Sequence, residues 1–333
     1  MIHTMTRLRP SACLALGLLV SLAACDNAGD DLGIALPANR SASALVVYDR
    51  NFDGLASLPQ DTTRAGITVR LLYSGTNTVE DAQVTDAAGL VNFFKVRIGS
   101  YTIRVDSVAA LGDSMVTVLS PANIQVYNSG SAPGILALLT YRTVATASAR
   151  TAPLGRRLVL TGVMLSTPPL FSDTTAFLRD STGAMRLTAP TIAGVPFLIP
   201  GDSVRVLGTV SVRDGQRVLD SARIALVQPT GVFPDADTLT SAEAASAAGG
   251  TRDADLVFVG ATEVLASIPN GAGFLVSLDD GSGPVEMALD STLGFLGSPV
   301  VPGDSVDVTG VLVPTGSGTW RVRPRIVTDF VVY

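Results

Sequence analysis

Pro200-Gly201-Asp202-Ser203-Val204 recurs, residue for residue, as Pro302-Gly303-Asp304-Ser305-Val306. Each copy runs on into alternating apolar residues and a glycine: Arg205-Val206-Leu207-Gly208 in the first, Asp307-Val308-Thr309-Gly310 in the second. Alternation with period two marks a half-buried strand, and Pro-Gly-Asp is turn chemistry. A self-match of this length, about one hundred residues apart, makes the C-terminal two-thirds of the chain one domain written twice. The repeat extends outward from these blocks. Residues 158–163 (LVLTGV) answer 256–261 (LVFVGA), and 176–183 (AFLRDSTG) answer 276–283 (VSLDDGSG). Arg217-Val218-Leu219 answers Trp320-Arg321-Val322, and residues 143–150 and 238–245 each read as a short helix or turn ahead of the unit. Two domains are expected, over 143–229 and 237–333, each with about five strands.

This order of motifs resembles the OB-fold-like modules of bacterial secreted proteins, the kind found beside extracellular nucleases and phosphoesterases. The shared pattern is "V-x-G-x-V", then a "D-x-T-G" hairpin, then "G-D-x-V-x-V-x-G". The resemblance covers both repeats nearly end to end. It implies two tandem OB-like five-stranded Greek-key barrels, partly open, with a ligand face on strands two and three and the adjoining loops. Glycines 162, 208, 260 and 310 suit bulges or sharp corners where small barrels close.

Ahead of the repeats, residues 44–142 form a separate unit. Residues 43–48 and 67–71 read as strands, Thr85-Asp86-Ala87-Ala88-Gly89 as a turn, and 99–105 (GSYTIRV) as a further strand. This sequence of strand, "T-D-x-x-G" turn and "G-x-Y-T" strand resembles the prealbumin-like β-sandwiches: carboxypeptidase regulatory-like domains and the B repeats of surface adhesins. The resemblance covers about sixty to eighty residues and implies a seven-strand sandwich that spaces or adheres and performs no chemistry. The whole chain is therefore expected to be all-β, one prealbumin-like sandwich followed by two OB-like barrels.

Within the first unit lies Asp49-Arg50-Asn51-Phe52-Asp53-Gly54. Oxygen ligands at alternate positions, with glycine for a tight turn, are what a calcium loop needs. Asp49, Asn51 and Asp53 are the candidate ligands, and the adhesin B repeats carry a similar calcium-binding run. No helices are expected beside the loop and position twelve is Gln60, so an EF-hand is not the model. An Asx-rich turn that satisfies itself is the alternative.

The first twenty-five residues read as a leader: Arg7 and Arg9, a short apolar run over 12–22, then Leu22-Ala23-Ala24-Cys25. That ending resembles the lipobox of bacterial lipoproteins and implies cleavage before Cys25 and lipid on its sulfur, with membrane attachment outside the cytoplasm. Ordinary signal-peptidase cleavage is the alternative. Residues 26–43, rich in Ala, Asn, Asp and Gly, read as a flexible tether.

Removal of the leader takes away His3, the only histidine, and Cys13, and lipidation consumes Cys25, the other cysteine. A Ser-His-Asp triad, a Cys-His pair and Cys/His metal sites are then excluded. The recurring Asp202 and Asp304, with Asp180, Asp279 and Asp280, read as turn acceptors rather than catalysts. A non-enzymatic, lipid-anchored envelope protein that binds or scaffolds is the leading expectation. In 143–229 nine arginines face five aspartates, and in 237–333 four arginines face twelve acids. Either the two repeats pack in complementary fashion, or the basic one touches an anionic polymer, nucleic acid or acidic glycan. For the second case Arg179, Arg186, Arg205 and Phe171 are the candidate contacts, with Phe171 exposed for stacking.

Overall fold

The computed structural model describes residues 40–106, 115–127, 134–168, 171, 173–271, 273–294 and 298–333. The leader, Cys25 and the tether as far as residue 39 lie outside them. Among the described residues no helix is long and apolar enough to cross a membrane. The chain divides into two compact units. One gathers Ala65–Val105 and Leu119–Leu136 with the chain up to Leu45; the other holds Val46–Arg64, Asp106–Val118 and Ala137–Tyr333.

In the first unit, the opening residues of β1 (Arg40–Tyr48) pair antiparallel with β5 (Leu90–Val96), from Arg40 opposite Val96 to Leu45 opposite Leu90. A second sheet runs β4 (Thr78–Val84), β3 (Thr68–Tyr73), β6 (Gly99–Val105), β8 (Ile124–Val126). Alternate residues are buried, Ala42 and Ala44, Val91 and Phe93, Val69 and Leu71, Tyr101 and Ile103, so each sheet turns one face inward. The expected Thr85–Gly89 turn is present: Asp86 Oδ1 accepts the N–H groups of Ala88 and Leu90. Arg40 to Ser43, expected in the tether, belong to β1. Its serines and alanines have linker composition, but the small alanines alternate inward and the backbone has a partner in β5.

The remaining strands of this region are β2 (Thr62–Thr63), β7 (Met115–Ser120) and β9 (Ile135–Tyr141). Among the described residues, nine strands of this region therefore lie in two sheets where the resemblance implied seven. Strands β1 and β9 each run on from one unit into the other.

In the second unit each repeat is a closed five-stranded barrel. The first contains α1 (Thr146–Thr151), β10 (Arg157–Met164), β11 (Thr175–Asp180), β12 (Gly183–Thr188), β13 (Thr191–Ala193), β14 (Ser203–Arg213) and β15 (Gln216–Gln228). Its strand order is β12-β11-β10-β14-β15, closed by parallel pairing of β12 with β15. The second contains β16 (Asp237–Thr238), α2 (Ser241–Ala245), β17 (Leu256–Asn270), β18 (Gly273–Asp279), β19 (Val285–Leu289), β20 (Ser305–Pro314), β21 (Trp320–Arg323) and β22 (Phe330–Val332). Its order is β19-β18-β17-β20-β21, closed by the parallel pair β19–β21. The third and fifth core strands thus run parallel in both barrels, as an OB-fold requires. The barrels are shut rather than partly open, because the third strand reaches the fifth and completes the ladder.

The Pro-Gly-Asp blocks are the turns that launch β14 and β20, as the sequence implies. Gly208 marks a register shift against β15, and a Cβ there would stand 2.5 Å from Leu219 Cγ. The barrel interiors are filled by alternating apolar residues. Leu158, Leu160, Ala176, Leu178, Met185 and Leu187 belong to the first core, and Val257, Val259, Val276, Leu278 and Met287 to the second.

A third core joins the barrels. Phe177 on β11 and Ala184 on β12 point out of the first barrel, alternating with the inward Ala176 and Leu178 on β11 and Met185 on β12. They are buried with Leu165 and Phe171 against Ala254, Leu256, Val311 and Val313 of the second barrel. The Phe171 and Phe177 rings meet edge to face, 6.2 Å apart. The strand pair that the resemblance made a ligand face is therefore the docking face for the other barrel. Phe177 is 0% exposed whereas Phe197 is 68% exposed. In chemical denaturation of the whole chain, Phe177→Ala should cost about 3–5 kcal/mol through the cavity it leaves. Phe197→Ala should stay within about 0.5 kcal/mol.

Candidate functional site

The recurring carboxylates are structural. Asp202 Oδ2 accepts the N–H of Ile199 at 3.0 Å, and Asp304 Oδ2 that of Val301 at 2.8 Å, closing the two Pro-Gly-Asp turns. Asp180 Oδ2 accepts the N–H of Thr146 at the start of α1, and Thr182 Oγ1 that of Ala147. In the second repeat Asp280 and Ser282 do the same for Ser241 and Ala242 at the start of α2. Burial alone would raise the Asp180 carboxyl, but hydrogen bonds from Thr182 and Thr146 outweigh it and hold it below its ordinary range. Asp280 is depressed by Ser282 and then Ser241. Asp279 Oδ1 accepts from Gly281 and Gly283 in its own hairpin turn. Hydrogen bonds that favour the charged form make Asp180 and Asp280 cap acceptors, ill-suited to trade protons near neutral pH.

The acidic loop after β1 curls on itself and lies against the first barrel, within the second unit. Asp49 Oδ1 accepts the N–H of Asp53 at 3.1 Å, while its Oδ2 accepts Gly54 N–H at 2.9 Å and Thr140 Oγ1 at 2.6 Å. Asp61 accepts the N–H groups of Arg50 and Ser57. Asp49, Asp53 and Asp61 each bring one oxygen to within 4.8 Å of the others. Asn51 instead turns its amide N–H to Asp53 Oδ2 at 2.8 Å. Asp61 therefore joins Asp49 and Asp53, two of the three candidate ligands that spacing pointed to. Alternate-position spacing could not find Asp61, which arrives from the far end of the loop. Burial raises the Asp49 carboxyl above its ordinary value, and the like charges of Asp53 and Asp61 add to the rise.

Phe52 carries the loop into place. It is fully buried among Tyr141, Val159 and Leu207. Arg223 lies 5.4 Å from the centre of its ring and donates to Arg50 O at 3.1 Å. Arg205 donates to Asp53 O at 2.9 Å. Arg205, a candidate polymer contact in the sequence, is thus a fastening for the loop.

The other candidate contacts converge on the seam between the barrels. Arg179 pairs with Asp255 at 3.3 Å and donates to Asp235 O at 2.8 Å, both contributed by the second repeat or its approach. Phe171 is 3% exposed, in the shared core, beneath the Arg323 guanidinium at 3.7 Å. It is not the exposed stacking platform that its polar sequence neighbours suggested, because its ring is buried in the core shared by the two barrels. Arg186, also 3% exposed, bonds Asp173 at 3.0 Å and Asp214 at 3.1 Å. Arg323 bonds the same Asp173 at 3.0 Å and Asp290 at 2.8 Å. Burial would raise Asp173, but Arg323, Thr175 and Arg186 together hold it below its ordinary range. The opposite net charges of the repeats are therefore met, in part, by pairing across the seam.

Beside these pairs opens a cleft of about 480 Å³ lined by both barrels, with Arg186, Arg321 and Arg323 facing Asp173, Asp214 and Asp290. Arg321 pairs with the half-exposed Glu286 at 3.1 Å. The Nε atoms of Arg186 and Arg321 are buried without a hydrogen-bond partner among the described residues. Sequence reasoning missed Arg321 and Arg323, which sit in the acidic repeat; only the pairing of β21 with β19 and β20 brings them to the seam.

The architecture is that of a tandem-barrel β-protein with a polar cleft at the seam. No family model matches the sequence, and no curated protein matches it. Among solved structures, the chain is similar to a murine DNA-binding protein bound with double-stranded DNA, at 10% identity and a TM-score of 0.30 over 53% of this chain and 97% of that one. It is similar to the Ifi202 HINa domain in complex with double-stranded DNA, at 11% identity and a TM-score of 0.28 over 54% and 96% of the two chains. Fission yeast Pot1 with single-stranded DNA matches at 11% identity and a TM-score of 0.27 over 57% and 87%.

The donor set of the acidic loop, three carboxylates and no nitrogen or sulfur, fits a hard cation such as calcium. Without a cation, ionised Asp49 costs stability, since its folded-state pKa is raised. That cost is absent below the ordinary aspartate pKa and complete above the raised one. Millimolar calcium should therefore raise the melting temperature of the whole chain at neutral pH, and the rise should fade as pH falls through that window. Asp49→Asn should remove the calcium-dependent shift; a shift equal to wild type would show that the cation sits elsewhere.

Proposed function

We propose that this chain is a non-enzymatic binding protein whose two barrels act as one body and take an anionic polymer, acidic glycan or nucleic acid, in the cleft at their seam. The observation that carries the reading is the convergence of Arg186, Arg321 and Arg323 on one cleft of about 480 Å³. Two of the paired carboxylates there are exposed: the Asp214 side chain is 56% exposed and that of Glu286 is 47% exposed. Exposed pairs contribute only about 0–1 kcal/mol, so a carboxylate or phosphate on a ligand can displace them and meet guanidinium groups already held in place. Preorganised donors of this kind lower the ordering cost of binding. The assignment of a binding rather than catalytic role rests on the carboxylates engaged as caps and turn acceptors, and on the absence of histidine and cysteine after residue 25.

The sequence ending in Cys25 supports attachment of this body to a membrane, facing the periplasm or the cell exterior, with β1 starting only fifteen residues later. Calcium in the acidic loop would stiffen the segment that Phe52, Arg205 and Arg223 hold against the first barrel.

Fluorescence polarisation at low salt, with labelled oligogalacturonate and labelled oligo(dT) against the whole chain, tests the cleft. At least one probe should bind, and affinity should fall as salt rises. Arg321→Ala should weaken binding about tenfold or more, the loss of one charge-assisted hydrogen bond, and reduce the salt slope by about one. Neither probe binding at low salt would contradict the reading. In the native host, labelled palmitate should be incorporated by wild type and not by Cys25→Ala; equal labelling would remove the anchor.

A further inference from the structure

A second cavity, of about 240 Å³, lies beside the β20–β21 turn and is lined by Trp320, Arg150, Arg217, Gln216 and Asp253. None of these residues is used by the cleft reading except through one hydrogen bond: Gln216 Oε1 accepts from Arg186 at 3.4 Å. We propose that this cavity is a subsite for one acidic sugar ring, with Trp320 as its platform. The proposal rests on the polymer-binding reading and names the ligand as a glycan.

The ring is held rigidly. Trp320 Nε1 donates to Asp253 Oδ1 at 2.7 Å, and Gln216 Nε2 donates to the same oxygen at 2.7 Å. Trp320 packs against the second barrel's core, yet the residue remains partly exposed. Asp253 Oδ2 accepts no hydrogen bond among the described residues, so a carboxylate oxygen is left for ligand hydroxyls.

The two guanidinium groups are also fixed. Arg150 donates to Ala184 O and to Asp253 O, and Arg217 donates to Ala152 O at 3.1 Å. Arg150 Nη1 and Arg217 Nη2 have no partner among the described residues. Two cations, one open carboxylate oxygen and an aromatic face match three features of a uronate ring: its carboxylate, its hydroxyls and its C–H face.

The cavity, of about 240 Å³, has room for one sugar ring.

Trp320 is the only tryptophan of the chain, so its emission reports this cavity directly. Titration of the whole chain with trigalacturonate should change that emission saturably. Arg217→Gln should weaken the response about tenfold, the loss of a charged hydrogen bond. Trp320→Phe, which keeps a ring for packing, should weaken trigalacturonate binding measured by calorimetry. Asp253→Asn, which keeps an acceptor for Trp320, should weaken it as well. If oligogalacturonate binds by polarisation while Trp320 emission is unchanged and Arg217→Gln binds as wild type, the subsite is wrong and the cleft reading stands. If Trp320 responds to oligo(dT) and not to galacturonates, the sugar assignment is overturned. If trigalacturonate moves Trp320 and no polymer binds in a salt-dependent way, the subsite stands and the cleft reading fails.

Discussion

Phe177 and Ala184, on the outward face of β11 and β12, are fully buried. Phe177 and Ala184 cannot reach their own barrel's core, because strand alternation sends Ala176, Leu178 and Met185 there instead. They are buried only because Leu256, Val311 and Val313 of the second barrel cover them. That burial fixes the two barrels as one body, and the rest of the seam follows from it. Once the apolar patch is sealed, Asp173 must lie between Arg186 and Arg323, and Arg179 must reach Asp255. A buried charge without its partner would cost several kcal/mol or more, so the ion pairs specify the register in which the patch can close.

The first barrel is covered on a second side as well. Val159 and Leu207 point outward from β10 and β14 and are buried by Phe52 and Tyr141. The residues that bring a possible cation site together are therefore positioned by a barrel that is distant in sequence. Arg205 and Arg223 reach the loop's carbonyls from β14 and β15. A barrel with both faces occupied presents its rims and seams, which is where the two cavities lie.

Much of the barrel architecture was legible before any coordinates. The duplicated Pro-Gly-Asp block and the period-two runs define both barrels, and the hairpin aspartates Asp180, Asp279 and Asp280 read as turn acceptors. Those are local signals, set by turn chemistry and alternation. What could not be read was which outward faces meet. Phe171 sits among polar residues and looks exposed, yet a contact across some 140 residues buries it. Asp61 joins Asp49 and Asp53 through loop closure rather than spacing. Arg321 and Arg323 lie in a repeat whose net charge is negative, and only strand pairing places them opposite Arg186. The serines and alanines at the start of β1 have linker composition, and only pairing with β5 makes them a strand.

Native-state hydrogen exchange along a guanidinium titration, with Trp320 emission followed in parallel, tests the shared core most directly. Trp320 reports the second barrel, and the amides of Phe177 and Ala184 report the covered face of the first. Cooperative burial predicts that the β11–β12 amides lose protection at the same denaturant concentration at which Trp320 loses its native emission. Exchange of those amides while Trp320 emission is still native would mean that the barrels unfold independently, and the single-body account would be wrong.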